Sequence, residues 1–187
     1  MTLILGAKDR KGRVFIGADK RGSDGHSYID GQNKLIPQHN YVVGYSGSFR
    51  VGQLIRYNED KFQPVASDAD MFAWVNALRD LLMNHGYSKE SGDEDEPMHN
   101  SVLLILATPQ DVYTVDQTYQ FYSMTRYAVG CGWQYGLGHF DAQSASVPMS
   151  HRIQLAIKGA ATIIQGVSPD SDVMEVKSKT TTGGKAL

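Results

Sequence analysis

The chain lacks several features that would assign it to a class at once. It holds one cysteine, Cys131, in 187 residues. No internal disulfide can form, and the paired-cysteine spacings of structural zinc sites are absent. An excess of one charge is also missing. Eighteen basic against twenty acidic side chains leave a formal net charge of −2, so no overall field draws the protein to nucleic acid or to anionic lipid. No apolar run approaches the roughly 20 residues of a membrane-spanning helix; the longest lies within Ser101–Ala107. Met1 is followed by no basic leader segment, so a cytoplasmic protein without membrane contact is expected. The six histidines, His26, His39, His85, His99, His139 and His151, show no metal-ligand spacing, so no metal is expected. Gly130-x-Gly132 lacks the strand-to-helix setting of a dinucleotide motif, and no cofactor is expected. No internal repeat is present.

What is present is a hydrophobic fraction of 41% with no long polar linker, which predicts one domain over residues 1–176 and a flexible tail over 177–187. Leu3–Ala7 and Val14–Ala18 flank a polar, glycine-containing turn and predict a hairpin. Lys34–Ile36 and Tyr41–Tyr45 predict a second, broken by Pro37 and the polar residues after it. Phe49–Tyr57 reads as a short helix. From Ser67, Met71, Trp74, Val75, Leu78, Leu81 and Leu82 recur at helical spacing behind a Ser67/Asp70 capping box. Residues 87–100 carry a run of carboxylates and read as a solvated surface loop. Strands are predicted again at Val102–Ala107, Val112–Val115 and Gln120–Met124. A short helix at Trp133–Ala142 follows, then a longer one with Pro148 in its first turn. Along that helix Met149, Ile153, Ala156, Ile157, Ala160, Ala161 and Ile164 share one face. A last strand covers Val173–Val176. Trp74 and Trp133 read as core or interface anchors. Blocks of strands and helices, without βαβ alternation, predict an α+β fold: a four-layer αββα sandwich of two antiparallel sheets flanked by helices.

The chemistry-bearing residues lie early. A small residue behind the initiator methionine is normally exposed when that methionine is trimmed, and Thr2 would then carry a free α-amine. Such an amine has an ordinary pKa of about 7.7 to 8.0, so near neutral pH it can accept the proton of its own residue's hydroxyl. One residue would supply nucleophile and base.

Around Thr2 stand Thr2-Leu3-Ile4-Leu5-Gly6-Ala7-Lys8, Gly12-Arg13-Val14-Phe15-Ile16-Gly17-Ala18-Asp19, Ser27-Tyr28-Ile29, Asn33-Lys34-Leu35-Ile36 and Val43-Gly44-Tyr45-Ser46-Gly47-Ser48. In this order and spacing the run resembles the N-terminal half of proteasome β-type subunits and of the similar HslV peptidases, N-terminal-nucleophile (Ntn) hydrolases of the threonine type. The Gly-Ala-Asp strand end and the Gly-Tyr-Ser-Gly turn carry most of the likeness. It implies Thr2 as nucleophile, Asp19 and Lys34 as its charged partners, and the Gly47 N–H as oxyanion donor. It also implies Ser23 as a contact to the substrate backbone, and Gly22, Gln32, Tyr45 and Phe49 as walls of the pocket for the side chain preceding the cut.

The later half, to about residue 176, resembles the family more loosely. Cys131 occupies the place of a serine that supports the terminal amine, and a thiol is a weaker donor and acceptor than a hydroxyl. Gln165 stands where an aspartate precedes the serine matched by Ser168. The resemblance implies a threonine endopeptidase in a stacked ring of identical subunits, acting on peptide or unfolded protein, with an ATP-dependent unfoldase as partner. Two alternatives stay open: a ring subunit that keeps the fold but has lost activity, and an Ntn amidase acting on a small-molecule amide.

Overall fold

The computed structural model describes residues 2–23, 27–87, 90–91, 94–95 and 102–177. His26, residues 88–89, 92–93 and 96–101 with His99 among them, and the expected tail beyond Lys177 lie outside the described residues.

The elements in chain order are β1 (Ile4–Lys8), β2 (Val14–Asp19), β3 (Gly22–Ser23), β4 (Tyr28–Ile29), β5 (Leu35–Gln38), β6 (Tyr41–Ser46), α1 (Phe49–Tyr57), a 3₁₀ turn (Glu59–Lys61) and α2 (Asp68–Asn84). After them come β7 (Glu90–Ser91), β8 (Glu94–Asp95), β9 (Leu103–Ala107), β10 (Val112–Val115), β11 (Phe121–Met124), β12 (Arg126–Val129), α3 (Trp133–Ala142), α4 (Met149–Ala161) and β13 (Ser171–Val176). Two antiparallel sheets carry the fold. One has the order β12-β1-β2-β13 and the other β11-β10-β9-β6-β5.

Three apolar clusters fill the spaces between four layers. Ile4, Val14, Ile16, Leu35, Ile105 and Val112 meet between the two sheets. Leu3, Leu5, Phe15, Ile153 and Ile157 join the first sheet to α3 and α4. Val43, Leu54, Met71, Trp74, Leu78 and Leu106 join the second sheet to α1 and α2. Both faces of β1 and β2 are thus covered, which is why their sequences read as continuous apolar runs and not as alternating ones. The sheets approach closely at two glycines. A Cβ on Gly6 would stand 2.7 Å from Val112 Cγ1, and one on Gly44 2.6 Å from Ile4 Cγ2.

The predicted α+β sandwich is observed, with local differences. The strand β5 continues through Pro37 to Gln38. It lies at the edge of its sheet, where the missing N–H of proline costs no ladder bond. The hairpin then turns on His39, whose φ of +39° is left-handed. Arg126–Val129 is a strand the sequence did not announce: β11 and β12 lie in different sheets and only Thr125 separates them, with no Gly or Pro to mark the crossing. Within the expected loop, Glu90–Ser91 pairs with Glu94–Asp95. Pro148 is the N-cap of α4 and not part of its first turn. Trp74 is a core anchor, donating to the Tyr41 hydroxyl at 3.0 Å and stacking on Phe62 at 5.1 Å; Trp133 is exposed. No helix among the described residues is long and apolar enough to cross a membrane.

Candidate active site

Antiparallel pairing gathers the ends of five strands. Ile4 lies opposite Ala18 on one side and Val129 on the other, so Thr2 just before β1 is flanked by Asp19 at the end of β2 and by Gly130-Cys131 after β12. Lys34 precedes β5, and Ser46-Gly47 closes β6. Thr2, Asp19 and Lys34 are all buried.

Asp19 is the hub. Its Oδ1 accepts the Lys34 ammonium at 2.7 Å and the Leu3 N–H at 2.8 Å. Its Oδ2 accepts the backbone N–H of Arg21 at 2.9 Å and of Ser168 at 3.1 Å. Four donors therefore hold one carboxylate that is 0% exposed, and such a carboxylate fixes both Lys34 and the chain leading to Thr2. The Lys34 side chain is 1% exposed. Burial pushes its pKa below the ordinary lysine value, outweighing the attraction and hydrogen bond of Asp19, which act the other way. An ammonium with a lowered pKa is a readier proton donor and a strong local charge.

On the other side, the Thr2 N–H donates to Cys131 Sγ at 3.4 Å, and the thiol lies 3.6 Å from the Thr2 carbonyl oxygen, which also accepts Gly132 N–H at 3.2 Å. The Thr2 nitrogen here is a peptide amide; it stands in for the α-amine that removal of Met1 would create. Gly130 makes this approach possible. With φ +96°, a Cβ there would run into the Thr2 carbonyl oxygen and stand 2.7 Å from its carbon and 3.1 Å from Ser46 Oγ. Gly130→Ala is accordingly expected to destabilise the protein by more than about 2 kcal/mol, measured by urea unfolding. A change within about 0.5 kcal/mol would show that the chain relaxes there freely.

Gly47 has φ +107° and is exposed at the junction of β6 and α1. Among the described residues no acceptor takes its N–H. The predicted pocket residues also come together. A Cβ on Gly22 would stand 2.6 Å from Phe49 Cζ and 3.4 Å from Gln32 Cγ. Tyr45 meets Phe49 edge to face at 6.2 Å and packs its ring against Gly52 of α1. Ser23 sits beside this group on β3, opposite Tyr28. Arg21 ties the region down. It forms a two-pronged pair with Asp30 at 2.8 and 3.0 Å and donates to the Gln165 carbonyl at 2.9 Å. A concavity of about 430 Å³ lies elsewhere, along the edge formed by β5, the His39 turn and β13.

Sequence reasoning did not place the Arg21 amide on Asp19 or the Gly130 contact with Thr2. Only the Gly-x-Gly spacing around Cys131 hinted at the second.

No protein-family model matches the chain, and no curated protein matches it in sequence. Solved structures do match it. BPH from Thiobacillus denitrificans superposes with a TM-score of 0.77 at 23% identity, over 95% of this chain and 99% of that one. The eukaryotic HslV from Trypanosoma brucei gives 0.65 at 16% identity, over 92% and 98%. Anbu, an ancestral β-subunit from Yersinia bercovieri, gives 0.65 at 18%, over 92% and 80%. At such identities the likeness is one of fold, and that fold is the α+β architecture of the Ntn hydrolases. Within that class it is the proteasome-type subunit fold.

Proposed function

We propose that this chain is a threonine-type endopeptidase subunit, built on one Ntn domain over residues 1–176, whose nucleophile is Thr2 after removal of Met1. The observation that carries the reading is the buried Asp19 carboxylate bridging the Lys34 ammonium and the Leu3 N–H, one residue from the nucleophile.

In this mechanism the α-amine of Thr2 takes the proton of the Thr2 hydroxyl as Oγ attacks the scissile carbonyl carbon. Lys34 stabilises the developing alkoxide, and the Gly47 N–H donates to the oxyanion. The tetrahedral intermediate expels the amine fragment, which leaves with the proton held on the α-ammonium. The resulting Thr2 ester is cleaved by water, with the α-amine again as base. Ser23 hydrogen-bonds the substrate backbone, and Gly22, Gln32, Tyr45 and Phe49 receive the side chain before the cut. The proteasome-type fold supports a stacked ring of identical subunits; in this reading the ring works on peptides or unfolded protein in the cytoplasm, served by an ATP-dependent unfoldase.

The deciding experiment uses protein shown by intact mass to lack Met1 and treats it with a peptide epoxyketone. Solved BPH is itself a complex with epoxomicin. The expected result is a covalent adduct on Thr2 together with loss of fluorogenic-peptide hydrolysis. Absence of any adduct rejects the peptidase reading. A second reading, an inactive ring subunit, is favoured by the thiol of Cys131 where the resembled family has a hydroxyl, and it predicts that negative outcome. Turnover of a small amide without turnover of peptides or casein would instead indicate an Ntn amidase.

Cys131 also yields a graded test. Because the thiol is the weaker hydrogen-bonding group, Cys131→Ser is expected to raise kcat/KM about 2- to 10-fold, the rate equivalent of one ordinary hydrogen bond at ~0.5–1.5 kcal/mol. Steady-state hydrolysis of one fluorogenic peptide by both proteins measures it, and an unchanged rate would remove Cys131 from the machinery.

A further inference from the structure

The strand β1 carries the chain away from Thr2, at about 3.3 Å per residue, so the β1–β2 turn lies about 20 Å from the candidate nucleophile. There it faces the α3–α4 loop across a concavity of about 370 Å³. Five cationic side chains line it, Lys8, Arg10, Lys11, Arg13 and Arg152, against one carboxylate, Asp9.

That carboxylate is already engaged. Asp9 Oδ1 accepts the N–H groups of Lys11 and Arg13 at 2.8 and 2.9 Å. Its Oδ2 is 2.8 Å from Arg13 Nε and 2.7 Å from the terminal nitrogen of the same guanidinium. Lys8 is paired with Asp111 at 3.0 Å. Arg10 and Lys11 are exposed, and among the described residues no carboxylate lies within ion-pair distance of either.

Two further features border the same place. Arg152 is clamped over the Phe140 ring at 4.1 Å and donates to the Phe140 carbonyl at 2.9 Å, yet its Nε is buried with no hydrogen-bond partner among the described residues. A buried guanidinium nitrogen without an acceptor is costly, and the positive charge it belongs to stands in the wall of the concavity. The helix α4 also begins on the wall of the concavity. Its N-cap is Pro148, which offers no side-chain acceptor, and its first turn contains no acidic residue. The leading N–H groups and the positive end of the helix dipole are therefore uncompensated.

We propose that this concavity binds a compact, multiply charged phosphate chain, either inorganic polyphosphate or the polyphosphate tail of a nucleotide. The excess of five cations over one carboxylate in the lining, with Arg10 and Lys11 exposed and the uncapped start of α4 on the wall, favours an oxyanion, and the proposal is independent of the peptidase reading. Calorimetric titration of the full chain with inorganic tripolyphosphate, at constant ionic strength, tests it. The expected result is one saturable site per chain, weakened by more than about tenfold in an Arg10→Glu/Lys11→Glu variant. Those residues are exposed, so the melting temperature of the variant should match the parent. Arg152→Gln is expected to weaken binding similarly. A parallel titration with ATP separates the sources: binding of both ligands assigns the nucleotide tail, and binding of tripolyphosphate alone assigns the inorganic chain. No saturable binding, or binding that the double variant leaves unchanged, overturns the proposal. So does a change of oligomeric state in the double variant without tripolyphosphate binding, which would assign the turn to an acidic surface of a second copy.

Discussion

Thr2→Val protein that has lost Met1 is expected to fold like the parent and to hydrolyse peptides slower by on the order of 10⁴-fold or more. Valine has the shape of threonine without the hydroxyl, so the packing of this buried residue is kept while the nucleophile is removed. The α-amine, Lys34 and the Gly47 N–H all remain, and the residual rate would report what they achieve without covalent catalysis. Thr2→Ser keeps a hydroxyl and is expected to retain measurable turnover. The pair of variants separates chemistry from structure. Fluorogenic-peptide hydrolysis by proteins of matched melting temperature gives the measurement, and a Thr2→Val rate within tenfold of the parent would exclude Thr2 as nucleophile.

How much of this was legible in the sequence differs between fold and site for a physical reason. The helix α2 and the hairpins of β1–β2 and β9–β10 are local: their apolar spacing, Ser67 capping and polar turns lie within single short segments, and the structure reproduces them. Ser67 Oγ does accept the Asp70 N–H, at 3.2 Å. The convergence of Thr2, Asp19 and Lys34, and of Gly22, Gln32 and Phe49, came from the resemblance, since nothing in local spacing brings residues from separate elements together. The structure gathers both groups; their chemical roles rest on the experiments above. What stayed hidden is contact made by backbone. Ser168 and Arg21 bind Asp19 through N–H groups, which every non-proline residue owns, so their identity carries no signal. The sheet crossing at Thr125 was hidden for a related reason. Extended backbone passing from one layer to the next needs no special φ, and so leaves no glycine or proline behind.

The buried hub gives the second large effect. Asp19→Ala removes the acceptor of four donors and leaves the Lys34 ammonium unpaired at 1% exposure, at an expected cost of about 3–5 kcal/mol. Asp19→Asn keeps the shape but replaces one carboxylate oxygen by an NH₂ group, so the four donors can no longer all be satisfied. Its effect should depend on pH, with a definite sign. Lys34 already has a folded-state pKa below its ordinary 10.5 because burial dominates, and losing the carboxylate lowers it further. Between that depressed value and about 10.5, the ordinary pKa the unfolded chain retains, the unfolded state binds more protons than the folded one. Unfolding free energy must then rise with pH. Urea unfolding of Asp19→Asn should show this rise over a wider range than the parent, and a flat or falling profile would mean that Lys34 is not the titrating group. Adding Lys34→Met to Asp19→Asn removes the buried charge, and buried pairs exchanged for apolar groups of similar volume often lose no stability. The double variant should therefore recover most of the lost stability and abolish the pH dependence, yet hydrolyse no peptide. That outcome would mean the Asp19–Lys34 pair is retained for the charge it holds beside Thr2, and not because the fold requires it.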